Sequence, residues 1–332
     1  MSLSEMMGAG DDTPTPRRRR RRWLGCLPVL VLLVVAAVVV GLLIAKGRNF
    51  LPGPISEGCE VDTTDGIVPL SLDQMQNAST IAAVATARNL PERAVQISLA
   101  TAMQESRLTN LSGGDRDSIG LFQQRPSQGW GSPQQIADPV YATNKFLDKL
   151  VAIPGYAQLP LTEAAQDVQH SGFPDAYAQH EADAMTLSSA LTGRVPAAMN
   201  CTVDGVGTSP SGSGGTTLQA ELKKDFGRVV STTDLGASTD SGGSSSSSSS
   251  ASPQHLLSVA VHGSAYVSER GWAVAQWSVA HAKSLHITEV DYAGKTWNSS
   301  ASDKGWVSTS SASPGTTAAS SDSTSGLRIT VA

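Results

Sequence analysis

The stretch Ala102-Met103-Gln104-Glu105-Ser106-Arg107, followed after a short loop by Ser118-Ile119-Gly120-Leu121-Phe122-Gln123, carries the clearest structural signal in this 332-residue chain. Apolar residues recur at helical spacing before the first stretch and Gly113-Gly114 follows it, so the pattern predicts a helix that ends between them. Glu105 then lies on the last helical turn, at the margin of the apolar face. Partial burial and the negative end of the helix dipole both raise the pKa of a carboxyl group in that position.

The second stretch has the residue types of a tight turn that approaches a ligand. Gly120 permits close approach of the backbone, and Gln123 offers a hydrogen-bond donor and an acceptor to a bound substrate. Ser106 is expected to fix the surroundings of Glu105 through its hydroxyl. A protonated carboxyl beside such a turn is suited to give a proton to a bound substrate. The sequence therefore predicts Glu105 as the catalytic acid, with Ser106, Gly120 and Gln123 at the substrate.

With these residues, the region 59–201 resembles the lytic transglycosylases and goose-type lysozymes, whose cleft combines a helix ending in Glu-Ser with a Gly-Leu-Met-Gln turn. Phe122 stands where that family has methionine. Helical apolar spacing recurs through the region and predicts an all-α domain, and the resemblance implies that this domain is lysozyme-like. The resemblance implies cleavage of the β-1,4 bond of peptidoglycan glycan strands, with Glu105 acting as acid and then as base and with no cofactor.

The family's third signature, an Ala-Tyr-Asn element on a later helix, is replaced here by Asp167-Val168-Gln169-His170-Ser171-Gly172-Phe173-Pro174. Gln169 is a candidate for the amide contact, and either Tyr177 or Tyr141 for the ring. Trp130 fits two interpretations, a platform on which a sugar stacks or a buried core aromatic. These residues complete the predicted substrate-binding set.

A second carboxylate is required only if the enzyme activates water. Asp115 and Asp117 are the candidates for that role, but their Gly-rich surroundings are equally typical of a surface turn, which we favour. In lytic transglycosylases the substrate's own N-acetyl group attacks the anomeric carbon, and no second carboxylate is needed. The choice between hydrolase and lyase therefore stays open in the sequence.

Two cysteines, Cys59 and Cys201, bracket the lysozyme-like region. In an exported chain they are expected to pair, and the alternative is two unpaired thiols. The histidines lack cysteine or carboxylate companions at ligand spacing, so no metal site is predicted.

An uncharged apolar stretch at 23–45 is long enough to cross a bilayer, and six arginines, Arg17 to Arg22, precede it. The pattern predicts a disordered cytoplasmic tail at 1–22, a transmembrane helix at 23–45 that serves as a retained signal anchor, and a stalk at 46–58. The chain is thus predicted to be a single-pass protein of the bacterial plasma membrane, with its bulk outside the cytoplasm. A net charge of −5 argues against nucleic acid as a partner.

Serine and glycine dominate 202–253, which predicts a flexible linker interrupted by one short helical segment, Leu218 to Phe226. The pattern of 254–332 is mixed and predicts a small α+β module. Three motifs of that module, 271–277, 282–287 and 292–297, resemble an exported domain related to zinc D-Ala-D-Ala carboxypeptidases. That family has a His-x-His ligand pair near its end, whereas Ser325-Gly326-Leu327-Arg328-Ile329-Thr330-Val331 contains none. The resemblance implies a module without catalytic function.

Taken together, these features predict a membrane-anchored enzyme that cleaves peptidoglycan. Two alternatives remain open at this point. One is a non-catalytic protein that binds peptidoglycan, and the other is a structural component of the cell envelope whose protein partners the sequence does not identify.

Overall fold

A three-stranded antiparallel sheet joins the beginning and the end of the lysozyme-like region. The computed structural model describes residues 56–207, 213–237, 254–263, 266–309 and 326–332. Strands β1 (Gly58–Thr63), β2 (Gly66–Leu70) and β3 (Met199–Thr202) pair in the order β2-β1-β3. The prediction of an all-α domain over 59–201 is therefore wrong.

The physical reason lies in a short period-two pattern. Cys59 and Val61 are buried while Glu60 and Asp62 are exposed, which is the alternation of a strand with one covered face. A two-residue turn before Gly66 then reverses the chain into β2. The third strand comes from a point far along the sequence, so local periodicity gives no sign that it completes this sheet.

Between β2 and β3 the chain is helical. The helices are α1 (Leu72–Ala87), α2 (Glu92–Ser106), α3 (Pro133–Ile136), α4 (Pro139–Val151), α5 (Leu161–Gln169) and α6 (Glu181–Leu191). Helix α1 begins with a capping box, in which Ser71 Oγ accepts from Gln74 N and Gln74 Oε1 accepts from Ser71 N. Every residue of α1 from 78 to 85 is buried, so this helix forms the centre of the core.

The second half of the described chain forms a six-stranded antiparallel sheet with its own helices. Its elements are α7 (Gly214–Phe226), β4 (Val230–Ala237), β5 (His255–Val261), α8 (Val267–Ala280), α9 (Ala282–Leu285), β6 (Ile287–Tyr292), β7 (Lys295–Asn298), β8 (Val307–Ser308) and β9 (Leu327–Val331). The strands follow the order β4-β5-β9-β6-β7-β8. Helix α7 and strand β4 lie inside 202–253, where the composition predicts a linker.

Within the described ranges, no helix has both the length and the apolar character needed to cross a membrane. The predicted span at 23–45, the tail at 1–22 and the stalk up to residue 55 all lie outside those ranges.

The described residues from 56 onward form one compact unit, in which the second half packs directly on the first. Helix α1 packs against α2 and α4 on its own side of the sequence and against α7 and α8 from the second half. Gln276 of α8 is fully buried, and its Oε1 accepts from the backbone N of Ala198 (3.0 Å) and Met199 (2.9 Å). Its Nε2 donates to Ala190 O at 2.6 Å. A single side chain thus holds the backbone that enters β3.

The predicted disulfide between Cys59 and Cys201 is confirmed. The two residues are directly paired positions of β1 and β3, with their Cα atoms 3.9 Å apart. Both cysteines are buried. The bond therefore fixes the N-terminal strand of this region to its C-terminal strand.

A buried acid connects three helices of the two halves. Asp225 of α7, 3% exposed, accepts hydrogen bonds from Thr80 Oγ1 of α1 (2.9 Å) and Trp277 Nε1 of α8 (2.8 Å). The Trp277 ring stacks on the buried His281 with 3.9 Å between centroids. Burial raises the pKa of Asp225 to about 6 and lowers the pKa of His281 to about 4.

These two groups act on stability in opposite directions. The unfolded chain ionises Asp225 at about pH 4, whereas the folded chain ionises it only at about pH 6. Raising the pH over this range therefore lowers the free energy of unfolding by about 3 kcal/mol. Over the same range the unfolded chain releases the proton of His281, whereas the folded chain already holds this residue neutral. The free energy of unfolding therefore rises by a similar amount. In the wild-type chain the two contributions largely cancel.

Asp225→Asn removes the contribution of Asp225 to the pH dependence of stability, so we expect the contribution of His281 to become measurable. Asparagine keeps an oxygen that accepts from Thr80 and Trp277 but has no charge to bury. The free energy of unfolding of the variant, relative to wild type, should therefore rise by about 3 kcal/mol between pH 4 and pH 6.5. Urea unfolding at both pH values measures it. A difference between the two proteins that stays constant with pH would contradict the assignment.

Candidate active site

Glu105 lies half-buried on the last turn of α2, where the helix ends at Ser106 and Arg107 adopts the left-handed conformation. Its Oε1 accepts a hydrogen bond of 2.9 Å from the hydroxyl of Tyr177, whose side chain is fully buried. Burial raises the pKa of Glu105, and hydrogen bonds from the side chains of Gln169 and Tyr177 oppose that rise. The net direction favours a carboxyl that holds its proton at a higher pH than an exposed glutamate does.

The segment after α5 brings the two partners of Glu105 into place. Helix α5 ends at Gln169 because His170 takes a left-handed conformation, with φ of 51°. A short 3-10 helix, Pro174–His180, then carries Tyr177 inward. Burial and the neighbouring Glu105 carboxylate raise the pKa of Tyr177, so its hydroxyl remains a donor at neutral pH. Of the two tyrosines that the sequence offers, the structure places Tyr177 at the acid.

The turn from Gly120 to Gln123 is held against this acid by two side chains. Ser106 Oγ lies 2.7 Å from Leu121 O, and Gln169 Nε2 donates to Phe122 O at 2.9 Å. Gly120 has φ of +78°, and a Cβ on it would lie 2.7 Å from Ile136 O, so only glycine fits here. Ser106 and Gly120, which the sequence predicts at the substrate, therefore serve to fix the turn.

Gln123 uses its amide within its own loop. Its Nε2 donates to Gly120 O at 3.1 Å, and its Oε1 lies where a Cβ on Gly114 would stand. Among the described residues, no hydrogen bond joins Gln123 to Glu105. The amide that reaches Glu105 is Gln169. The sequence favours Gln123 as the residue that positions the sugar and offers Gln169 only in place of the family's asparagine.

Trp130 is 6% exposed, and Lys149 Nζ lies 3.6 Å from the centroid of its ring. Tyr141 Oη donates to the backbone O of Trp130 at 3.3 Å, so this second tyrosine belongs to the same packed corner. A ring covered by a lysine offers no open face to a sugar. Of the two interpretations of Trp130, the structure selects the buried aromatic.

Asp115 and Asp117, the two candidates for a second carboxylate, have the contacts of a surface turn. Asp117 accepts from Arg125 Nε (2.8 Å), Ser127 N (2.8 Å) and Ser127 Oγ (3.0 Å), and these contacts lower its pKa. Asp115 is exposed, with Arg116 Nε 3.8 Å away. Asp117 thus closes the surface loop, as the preferred interpretation of this turn predicts.

Several groups near Glu105 have no local sequence signal. Gln104 Oε1 accepts from Gln179 Nε2 at 2.9 Å and lies 3.1 Å from His180 Nε2. Ser171 hydrogen-bonds to Tyr177 through its side chain. Their positions depend on how the 3-10 helix folds back over the end of α2, which is a tertiary effect. Within the described ranges, no group of three or more His, Cys, Asp or Glu side chains is arranged to hold a metal ion.

Tyr177→Phe is expected to raise the pKa of Glu105. The variant loses a donor that stabilises the ionised carboxylate, while the ring continues to fill the same space. An NMR titration of the glutamate side-chain carboxyl carbons measures the change, and Tyr141→Phe is the matched control because its hydroxyl contacts Trp130 O instead. An unchanged titration of Glu105 in Tyr177→Phe would show that this hydrogen bond does not act on the acid.

The arrangement provides one carboxyl group with a raised pKa, a phenol and an amide that hold it, and a turn fixed close by. Such a group is suited to give and to accept a proton in an acid–base reaction. No protein-family model matches the chain, and no curated protein matches its sequence. The resemblance to lytic transglycosylases accordingly stays a prediction from the motifs around Glu105 and Gly120.

Proposed function

We propose that the chain cleaves the β-1,4 bond of peptidoglycan glycan strands, with Glu105 as the general acid. The observation that carries the proposal is the half-buried Glu105 carboxyl, held by the buried Tyr177 hydroxyl and by Gln169. A general acid must keep its proton near the working pH, and burial shifts the pKa of Glu105 in that direction.

The surroundings of Glu105 favour the lyase reaction over hydrolysis. An inverting hydrolase needs a second carboxylate to activate water, and Asp117 is committed to Arg125 and Ser127. In the lyase reaction Glu105 protonates the leaving oxygen while the acetamido oxygen of the substrate attacks the anomeric carbon. The Glu105 carboxylate then takes the proton of the C6 hydroxyl, and that oxygen closes an anhydro ring as the acetamido group leaves.

The disulfide supports a site of action outside the cytoplasm, because such bonds persist in oxidising compartments. The localisation at the bacterial plasma membrane stays a prediction, since the residues on which it depends lie outside those that the structure describes.

Incubation of the full-length protein with purified peptidoglycan, followed by mass analysis of the soluble fragments, tests the proposal. We expect fragments with anhydro ends, which weigh one water less than fragments with reducing ends. Reducing ends would show a hydrolase instead of a lyase. A protein that sediments with the wall and releases nothing would contradict cleavage and identify a binding protein, and one that does neither would contradict both.

A further inference from the structure

Phe173 is the most exposed large apolar side chain among the described residues, with 77% of its surface accessible. Single exposed apolar side chains are common on protein surfaces and need no explanation by themselves. What distinguishes Phe173 is its position in the short loop between α5 and the 3-10 helix that carries Tyr177.

A chain of hydrogen bonds fixes this loop to the candidate acid. Phe173 N donates to Ser171 Oγ at 3.1 Å, Ser171 hydrogen-bonds to Tyr177, and Tyr177 Oη donates to Glu105 Oε1 at 2.9 Å. Gln166 Nε2 also donates to Ser171 O at 2.9 Å. Two side chains therefore separate the backbone of Phe173 from the carboxyl group of Glu105, and the exposed ring is attached to a restrained backbone.

Polar groups of the kind that a sugar requires lie next to Glu105. Gln104 precedes Glu105 in α2, and its amide faces Gln179 and His180. A pyranose with an N-acetyl group presents an apolar face of C–H bonds and a rim of hydroxyl and acetamido groups. An aromatic ring suits the apolar face, and amide side chains suit the rim. Because Lys149 covers the ring of Trp130, that residue does not provide the aromatic surface.

We infer that Phe173 is a sugar-stacking residue of the Glu105 site, on which an N-acetylated pyranose of the glycan packs. The inference rests on the proposed function for the identity of the substrate. It adds a contact that binds the glycan in both the ground state and the transition state, so it contributes to affinity more than to the rate of the chemical step.

Binding of soluble N-acetylglucosamine hexamers to the full-length protein, measured by calorimetry in a Glu105→Gln background, tests the inference without relying on cleavage. Phe173→Ala should weaken binding about tenfold, and Phe173→Trp should restore it. Tyr266→Ala is the matched control, because Tyr266 is 69% exposed and lies beside Glu92 at the opposite end of α2. Thermal unfolding shows that all the variants remain folded.

In the Glu105-containing protein the same Phe173→Ala change should raise KM with kcat unchanged, which a purely structural role would not produce. Equal binding by Phe173→Ala and its parent would overturn the inference, whether or not the wild-type protein cleaves peptidoglycan. Absence of hexamer binding by the parent would overturn it as well. Loss of binding in Phe173→Ala with no cleavage by wild type would support the stacking role and contradict only the catalytic proposal.

Discussion

Glu105→Gln is expected to lower the rate of peptidoglycan cleavage by about 10³-fold, within the range that general acid catalysis contributes. Glutamine has nearly the same size as glutamate, and its oxygen still accepts the hydrogen bond from Tyr177. It has no proton of suitable acidity to give to the leaving oxygen, and it accepts none from the C6 hydroxyl. Both proton transfers are lost together, so the effect falls on kcat.

The initial rate of release of soluble fragments measures this loss, and glycan binding by the same variant should stay close to that of wild type. Glu163→Gln is the matched control, because Glu163 is an exposed carboxylate in the first turn of α5. If Glu105→Gln keeps more than about a tenth of the wild-type rate, the acid is another group.

Removal of the disulfide, with Cys59→Ala and Cys201→Ala together, is expected to lower the free energy of unfolding by about 4–5 kcal/mol. The bond closes a loop with a sequence separation of 142 residues, and a cross-link over so long a loop strongly restricts the unfolded chain. The native strands β1 and β3 are already paired at this position, so the variant should keep its fold and lose stability.

Urea unfolding measures the loss. Reduction of the wild-type protein should reproduce it, and the double variant should not respond to reductant. A double variant that unfolds at the same urea concentration as oxidised wild type would show that the bond does not contribute to stability.

The local spacing of apolar residues is sufficient to predict the helices that carry the site. The end of α2 next to Glu105 follows from apolar spacing and from the glycines that come after it. The three-stranded sheet was missed because β1 and β2 are each six residues or fewer, and because their partner β3 lies at the far end of the region. Pairing of that kind depends on the tertiary fold and leaves no periodic signal.

The linker prediction failed for a different reason. Helix α7 buries Leu218, Leu222 and Phe226, which repeat every four residues, so an amphipathic pattern is present. The sequence indicates this short helical segment, but the serine and glycine residues that dominate the composition around it lead to its assignment to a linker. Strand β4 also lies in the region that composition assigns to the linker, and it pairs with β5.

At the candidate site the sequence predicts Glu105 as the acid but does not predict the geometry around it. The sequence offers both Tyr141 and Tyr177 for the aromatic ring of the family's third signature. Only the 3-10 helix decides between them, since it carries Tyr177 to Glu105. Gln123 and Gln169 have the same chemistry, and the fold alone turns one toward its own loop and the other toward the acid. The sequence is equally compatible with Trp130 as a platform and as a core residue, and the position of Lys149 over its ring decides for the core.

The packing of α8 on α1 limits which segments of this protein can be transferred to another polypeptide by recombination. A gene fusion that moved only the Glu105-bearing half into another polypeptide would leave the α8-facing side of α1 in water and the backbone around Met199 without Gln276. Such a recombinant would first need polar substitutions along α1. The two halves are therefore expected to be inherited together, and a protein library built from shuffled segments should recover them only as a pair.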